Sequence, residues 1–304
     1  MSSNQPLVSV VMSCYNCEQY LKFTIDSILN QTYTDFEFII WDDGSTDSTR
    51  EIISSYKDER IRYFYHENTG LGSALKMACE KANGKYIARM DGDDIAFCSR
   101  FQKEVDYMES HHDYVLVSSA VEYIDDKGTL IGRSFPCTID SVIKHNLNNR
   151  GNMIVHPMVM MRRDAYISAG GYPNLMFQED WLLWSRLAML GKFHNIPTPL
   201  GQYRLLKSSL SRSDNAYKGV LFEYIRKMVK DPILLDSDID LYNRIYKFSK
   251  QFISPIEAGI EKREEALNYR FYKILRPLLG EHLSQGIVTV ITNLHHLLKV
   301  PIKS

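Results

Sequence analysis

Tyr86-Ile87-Ala88-Arg89-Met90-Asp91-Gly92-Asp93-Asp94 decides how the rest of this chain folds. A short, mostly apolar run ends in three carboxylates within four residues. Acids that close repel one another, and in apolar surroundings each is costly unless a positive charge neutralises it. A divalent cation that favours hard oxygen ligands, Mg²⁺ or Mn²⁺, meets that need. A cation held at a strand end can in turn hold a diphosphate. Asp-x-Asp with Gly at the bend is also a common solvated turn, so the neighbouring segments decide between the two meanings.

Upstream, Leu7 to Met12 and Phe36 to Trp41 are short, apolar and rich in β-branched and aromatic residues. Both read as buried strands, with a third at Ile61–Tyr65 and a fourth at Tyr86–Met90. Between them, Gln19–Asn30, a segment from Ser48, and Ser73–Ala82 have helical spacing. Strand and helix alternate over short connections, which predicts a parallel sheet flanked by helices. In such a sheet, ligands bind beyond the carboxyl ends of the strands. The loops Ser13–Glu18, Asp42–Asp47 and Asp91–Asp94 all follow strands, so they converge on one crevice. Downstream, Arg100–Ser110 reads as a helix and Tyr114–Ser119 as a strand extended through Ile124. Asp125–Gly128 reads as a hairpin turn. Met153–Arg162 reads as an apolar strand carrying His156-Pro157, Arg163–Ala169 as a short helix, and Trp181–Leu190 as a helix.

The 304 residues, 44% of them hydrophobic, allow one large domain or a domain with an appendage. The 36 basic and 37 acidic residues leave a net charge of −1, which carries no nucleic-acid signature. Five cysteines, an odd number in a chain this long, argue against a disulfide framework. Cys14-x-x-Cys17 has no second pair to complete a zinc site. The polar start predicts no signal peptide, and no run reaches the roughly 18 apolar residues of a spanning helix. A reducing cytoplasm is the expected location.

These segments resemble the family 2 glycosyltransferases, which use the GT-A fold, a Rossmann-like α/β architecture. The resemblance runs from about Leu7 to Ser211. It is carried by Val8–Asn16, Ser27–Thr32, Trp41–Asp47, Asn68–Leu71 and Met90–Asp94, then by Gly170-Gly171-Tyr172, Gln178-Glu179-Asp180, Tyr203-Arg204 and Ser209-Leu210-Ser211. It implies a catalytic domain over 1–212, with a donor half of about 1–100 and an acceptor half of about 101–212. A helical C-terminal region over 213–304 follows. It also implies a nucleotide-sugar donor, UDP-sugar favoured, and an inverting transfer to a surface glycan or a lipid-linked glycan. By similarity, Ser13, Tyr15, Asn16, Glu18, Asp43 and Asn68 belong to donor binding, with Asp91 and Gly92 near the ribose. Asp93, with Asp91, holds Mn²⁺ or Mg²⁺. Asp180 matches the family's catalytic base, and Glu179, His156 and Trp181 lie on the acceptor side. Glu179 is equally read as structural support; His156 and Trp181 are also read as core residues, and Asp180 also as a helix cap.

One position departs from the family. Many relatives have a metal-binding His two residues after Tyr-Arg, where this chain has Leu206. Leucine cannot ligate, which predicts weak metal binding that depends on the donor. It also leaves open a nucleotide-sugar-binding protein with little or no transferase activity. The Gln-x-x-Arg-Trp of processive synthases is missing, so a single-addition enzyme is expected. The tail has no recognisable motif. It is expected to pack on the catalytic domain or a second protomer as a homodimer. The alternative places apolar Ile287–Ile291 with Lys299 and Lys303 on the inner face of the plasma membrane.

Overall fold

The structure is a computed structural model. It describes residues 5–149, 151–175 and 177–206, with five further positions (225, 239, 240, 242 and 243). The chain divides into two compact units, residues 1–212 with 228–235, and 213–227 with 236–304. Every strand and helix described below belongs to the first. The tail helices expected from the sequence, the Ser209-Leu210-Ser211 motif and the Ile287–Lys303 segment lie outside the described residues, apart from those five positions.

Four strands, β1 (Val8–Cys14), β2 (Phe36–Asp42), β3 (Ile61–Tyr65) and β4 (Tyr86–Asp91), lie in the order β3-β2-β1-β4. All are parallel. They are linked by helices α1 (Leu21–Leu29), α2 (Thr49–Ser55) and α3 (Leu71–Glu80). Alternate residues of a strand face opposite sides. Val8, Val10 and Met12 therefore share one face with Phe36, Phe38, Ile40, Tyr86, Ala88 and Met90. That face packs on Ile25 and Ile28 of α1 and on Phe101, Val105 and Met108. The register brings Cys14 beside Asp42 and Ser13 beside Asp91. The polar loops after β1, β2 and β4 thus leave one edge of the sheet together.

The second half comprises β5 (Ile95–Ala96), α4 (Arg100–Ser110), β6 (Tyr114–Ile124), β7 (Leu130–Arg133), α5 (Asp140–Asn149), β8 (Met160–Arg162), α6 (Arg163–Ser168), α7 (Glu179–Leu187) and β9 (Lys192–Arg204). The sheet continues β4-β8-β6-β9-β5, with β7 paired to β6. β8 runs antiparallel to both neighbours. Arg100 ties α4 to the sheet. Fully buried, it pairs with Glu104 at 3.0 Å and donates to the Arg89 carbonyl at 2.8 Å.

Three departures from the sequence expectation have local causes. His156-Pro157-Met158 is a 3₁₀ turn, and the strand expected over Met153–Arg162 shrinks to three residues. Pro157 has no N–H to give a ladder. β9 went unread because Pro197 and Pro199 look like breakers. The structure absorbs them at register shifts, Ser119 facing Ile196 and Ala120 facing Pro199. Helix α7 starts at Glu179, two residues before Trp181, so Asp180 lies inside its first turn.

Candidate active site

One edge of the candidate site is built from two loops stitched together by their own side chains. Asn16 adopts a left-handed backbone (φ 51°). Its N–H donates to Ser45 Oγ at 2.9 Å, and its Oδ1 accepts the Thr46 N–H at 2.8 Å. Glu18 Oε2 accepts the Ser48 N–H at the start of α2, 2.9 Å away. Asp43 is buried at 3% exposure. Its Oδ1 accepts the N–H and hydroxyl of Thr69, and its Oδ2 accepts the Gly70 N–H, all within 3.0 Å. The carboxylate thereby caps the start of α3, where the helix dipole favours negative charge. Asn16, Glu18 and Asp43 therefore shape the edge as well as line it. Tyr15, 50% exposed, and the exposed Asn68 present free surface. Ser13 lies nearly buried beside Asp91.

The acid loop closes that edge. Asp91, Asp93 and Asp94 each bring one carboxylate oxygen within 4.8 Å of the others. Burial, and then the charge of Asp91, push Asp93 up to about 6. Burial, then Asp93 and Asp91, raise Asp94 well above the carboxylate range. Asp94 Oδ2 is buried without a hydrogen-bond partner. Hard oxygens, mutual repulsion and an orphaned buried oxygen fit a divalent cation. Arg204 anchors the loop from β9. Its N–H donates to Asp94 Oδ1 (2.7 Å), its Nε to the Asp93 carbonyl (2.9 Å) and its Nη1 to the Asp125 carbonyl (3.0 Å). The guanidinium also stacks over Tyr20 at 4.2 Å. The Tyr203-Arg204 motif thus holds the acid loop, and Leu206 follows two residues on.

Gly92 sits on the Cys14-x-x-Cys17 turn. A Cβ at Gly92 would come within 2.9 Å of Cys17 Sγ. Both cysteines are free, and burial pushes the Cys17 thiol up to about 12. A protonated, packed thiol supports the loop and is a poor nucleophile or ligand.

The acid pair Glu179-Asp180 opens α7. Gln178 before it is left-handed (φ 61°) and, with Asn16, is one of two non-glycine residues of positive φ among the described residues. Both stand at this site, where strained backbone commonly gathers. Asp180 Oδ1 accepts the Trp181 N–H (2.7 Å), and Oδ2 accepts Asn152 Nδ2 (2.6 Å). Burial raises its pKa, while the Trp181 N–H and the charge of Arg89 draw it back. Glu179 is 5% exposed, and burial followed by Asp180 pushes it up to about 8. At neutral pH it carries a proton.

That proton gives a stability test. The folded state binds it more tightly than the unfolded chain, where glutamate titrates near 4.5. The contribution is fully present below about pH 4.5 and is lost as pH rises through about 8. Glu179→Gln, permanently neutral, should gain on the wild type by several degrees in Tm between about pH 5 and about pH 9. Melting curves at both pH values check it. A difference that does not change with pH would mean that Glu179 is ionised in the fold.

Two acceptor-side candidates are packed inward. Trp181 is 2% exposed and its indole N–H donates to the Leu147 carbonyl at 2.8 Å, so it offers no face to an acceptor and belongs to the core. His156 Nε2 bonds the Tyr172 hydroxyl at 2.8 Å and its ring stands edge-on to Trp184. Burial, then Arg89, hold its pKa well below the usual imidazole value, so it is neutral. Two site residues escaped the sequence reading. Asn152 is an ordinary polar loop residue in sequence. Arg89 was visible as a lone charge inside an apolar strand.

Residues 9–170 match the model of glycosyl transferase family 2. The chain is 34% identical to EpsE of Bacillus subtilis over 220 residues, 70% of this chain and 78% of that one. It is 30% identical to the amylovoran biosynthesis glycosyltransferase AmsE of Erwinia amylovora, over 74% of this chain and 84% of the relative. Its fold matches that of S. aureus TarS residues 1–349, solved with UDP-GlcNAc, with a TM-score of 0.64 at 15% identity over 95% of this chain and 91% of the other. The chain belongs to glycosyltransferase family 2 and has the GT-A fold. It is a glycosyltransferase.

Proposed function

We propose that the enzyme moves one sugar, with inversion, from a nucleotide-diphosphate sugar to a hydroxyl of a surface glycan. UDP is the favoured nucleotide, and lipid-linked forms of that glycan are included among the acceptors. The observation that carries this reading is the placement of two acid sets. Asp91, Asp93 and Asp94 lie on the carboxyl edge of the parallel strands, and Asp180 opens a helix of the acceptor half. Inverting transfer is a single in-line displacement. The acceptor oxygen bonds the anomeric carbon as the bond to the diphosphate breaks, and the acceptor proton passes to a carboxylate. In this reading Asp180 takes that proton. The Trp181 N–H and Asn152 each hold one of its oxygens and leave lone pairs for the acceptor. Ser13, Tyr15, Asn16, Glu18, Asp43, Asn68 and Gly92 form the donor side. Asp93, with Asp91, would hold Mn²⁺ or Mg²⁺, which when bound supplies positive charge to the leaving diphosphate. UDP-GlcNAc in the TarS structure and the amylovoran biosynthesis that names AmsE support the donor and acceptor classes.

Among the described residues no helix is long and apolar enough to cross a membrane. Membrane contact through the tail therefore rests on the sequence of residues 287–303.

A second reading, donor binding with little transfer, draws on Leu206. Leu206→His should tighten Mn²⁺ binding on the order of tenfold, the scale of one added contact near a metal, read by isothermal titration. Unchanged affinity would place residue 206 away from the ion. The function itself is tested by thermal shift against UDP-, GDP- and dTDP-sugars with and without Mn²⁺. One donor class should raise Tm by several degrees only when Mn²⁺ is present. Indifference to every nucleotide sugar would end the proposal.

A further inference from the structure

Arg89 is a cation that the reaction scheme above leaves without a task. It lies on β4 with 2% of its surface exposed, so it cannot touch substrate. Its side chain shares the strand face of Ile87 and Asp91, opposite Ala88 and Met90 of the core. Its Nη1 forms an ion pair with Asp91 Oδ2. Its Nε has no hydrogen-bond acceptor. A buried guanidinium so poorly satisfied is costly, and well-packed apolar residues usually do as well in such places. Its charge is weakly screened there, and it is felt at Glu179 and Asp180 at the start of α7.

We propose that Arg89 is a built-in counter-cation of the acid loop, holding Asp91 by one oxygen and repelling a free divalent ion, so that the ion enters together with the diphosphate. The inference rests on the function proposed above. The ion has two attractions to gain, the acid loop and the diphosphate, and one repulsion to overcome. Without nucleotide, the repulsion from Arg89 sets against the pull of Asp93 and Asp91. With nucleotide, the two negative phosphates tip the balance. Leu206, in place of a ligand, acts in the same direction. Arg89 works on the substrate only through Asp91 and the ion, which makes it a positioning residue.

The test uses the full chain and isothermal titration with Mn²⁺ alone, then Mn²⁺ in the presence of UDP. Arg89→Met removes the charge at similar length, and Arg89→Lys keeps it. R89M should bind Mn²⁺ alone at least fivefold more tightly than the wild type, and UDP should improve that affinity less than it does in the wild type. R89K should stay within about twofold of the wild type in both titrations. A merely structural role predicts the opposite sign, weaker Mn²⁺ binding in R89M. That result, or an unchanged affinity, overturns the inference while UDP and Mn²⁺ still bind the wild type together. A wild type that shows no Mn²⁺-dependent UDP binding overturns the functional reading and this inference with it. Circular dichroism reports folding. If R89M does not fold, Arg89→Gln carries the same expectation.

Discussion

Asp180→Asn should lower turnover by roughly 10²- to 10⁴-fold, the usual worth of a positioned general base. Asparagine keeps the shape and can still accept the Trp181 N–H on its amide oxygen. It cannot take a proton from the acceptor. KM for the donor should change by no more than a few-fold, because Asp180 stands on α7 and the loops proposed to bind the donor follow β1, β2 and β4. The split between kcat and KM is the diagnostic reading. Glu179 is the neighbouring rival. It is buried and holds its proton at neutral pH, which suits it poorly to accept another. Turnover that survives in D180N and falls in E179Q would move the base by one residue. Asn152→Ala is a milder companion, since it frees one oxygen of Asp180 without removing the carboxylate.

The second large effect falls on Asp93. Asp93→Asn should abolish the Mn²⁺-dependent part of UDP binding and lower turnover by about 10²- to 10³-fold, the scale of losing one electrostatic stabiliser of a developing charge. Asp91→Asn should cost less, because one Asp91 oxygen is already committed to Arg89. Titrations of UDP with and without Mn²⁺ separate the two. Equal losses would make Asp91 a ligand of the same rank as Asp93. Folding should survive in D93N, since the loop is held chiefly through Asp94 and the Asp93 carbonyl by Arg204.

The first half of the sheet was legible in the sequence because its strands are short, apolar and separated by unmistakable helices. β1, β2, β3 and β4 fall where Leu7–Met12, Phe36–Trp41, Ile61–Tyr65 and Tyr86–Met90 indicated, within one or two residues at each end. The second half was harder for identifiable reasons. β9 carries Pro197 and Pro199 inside a paired strand, and only the register shifts in its pairing with β6 make that possible. His156-Pro157 sits among apolar residues whose composition suggests a strand, yet a missing N–H turns it into a 3₁₀ helix. α5, Asp140–Asn149, has three asparagines and weak helical propensity, and was passed over.

At the site, residue types were easier to recognise than their partners. The three acids of the loop and the Glu179-Asp180 pair announce themselves by carboxylates packed together. That Asp43 caps α3, that Asn16 and Glu18 join two loops, or that Trp181 turns inward depends on contacts between distant segments. Periodicity does not encode such contacts. Arg89 is the instructive case. A charge within an apolar strand could be seen, but its pairing with Asp91 follows only once the strand's alternation is known. Arg204 shows the same limit: it was quoted as half of a motif, while its grip on Asp93, Asp94 and Asp125 emerges from the closure of β9 against the acid loop.

Proton NMR of the first-formed sugar, with an α-linked nucleotide sugar chosen from the donor panel and Mn²⁺ present, tests inverting transfer most directly. The wild type should release nucleoside diphosphate and form a β-configured product, on an acceptor hydroxyl or on water, and D180N should form almost none. An α-configured first product, or no release from any nucleotide sugar that binds, would contradict it.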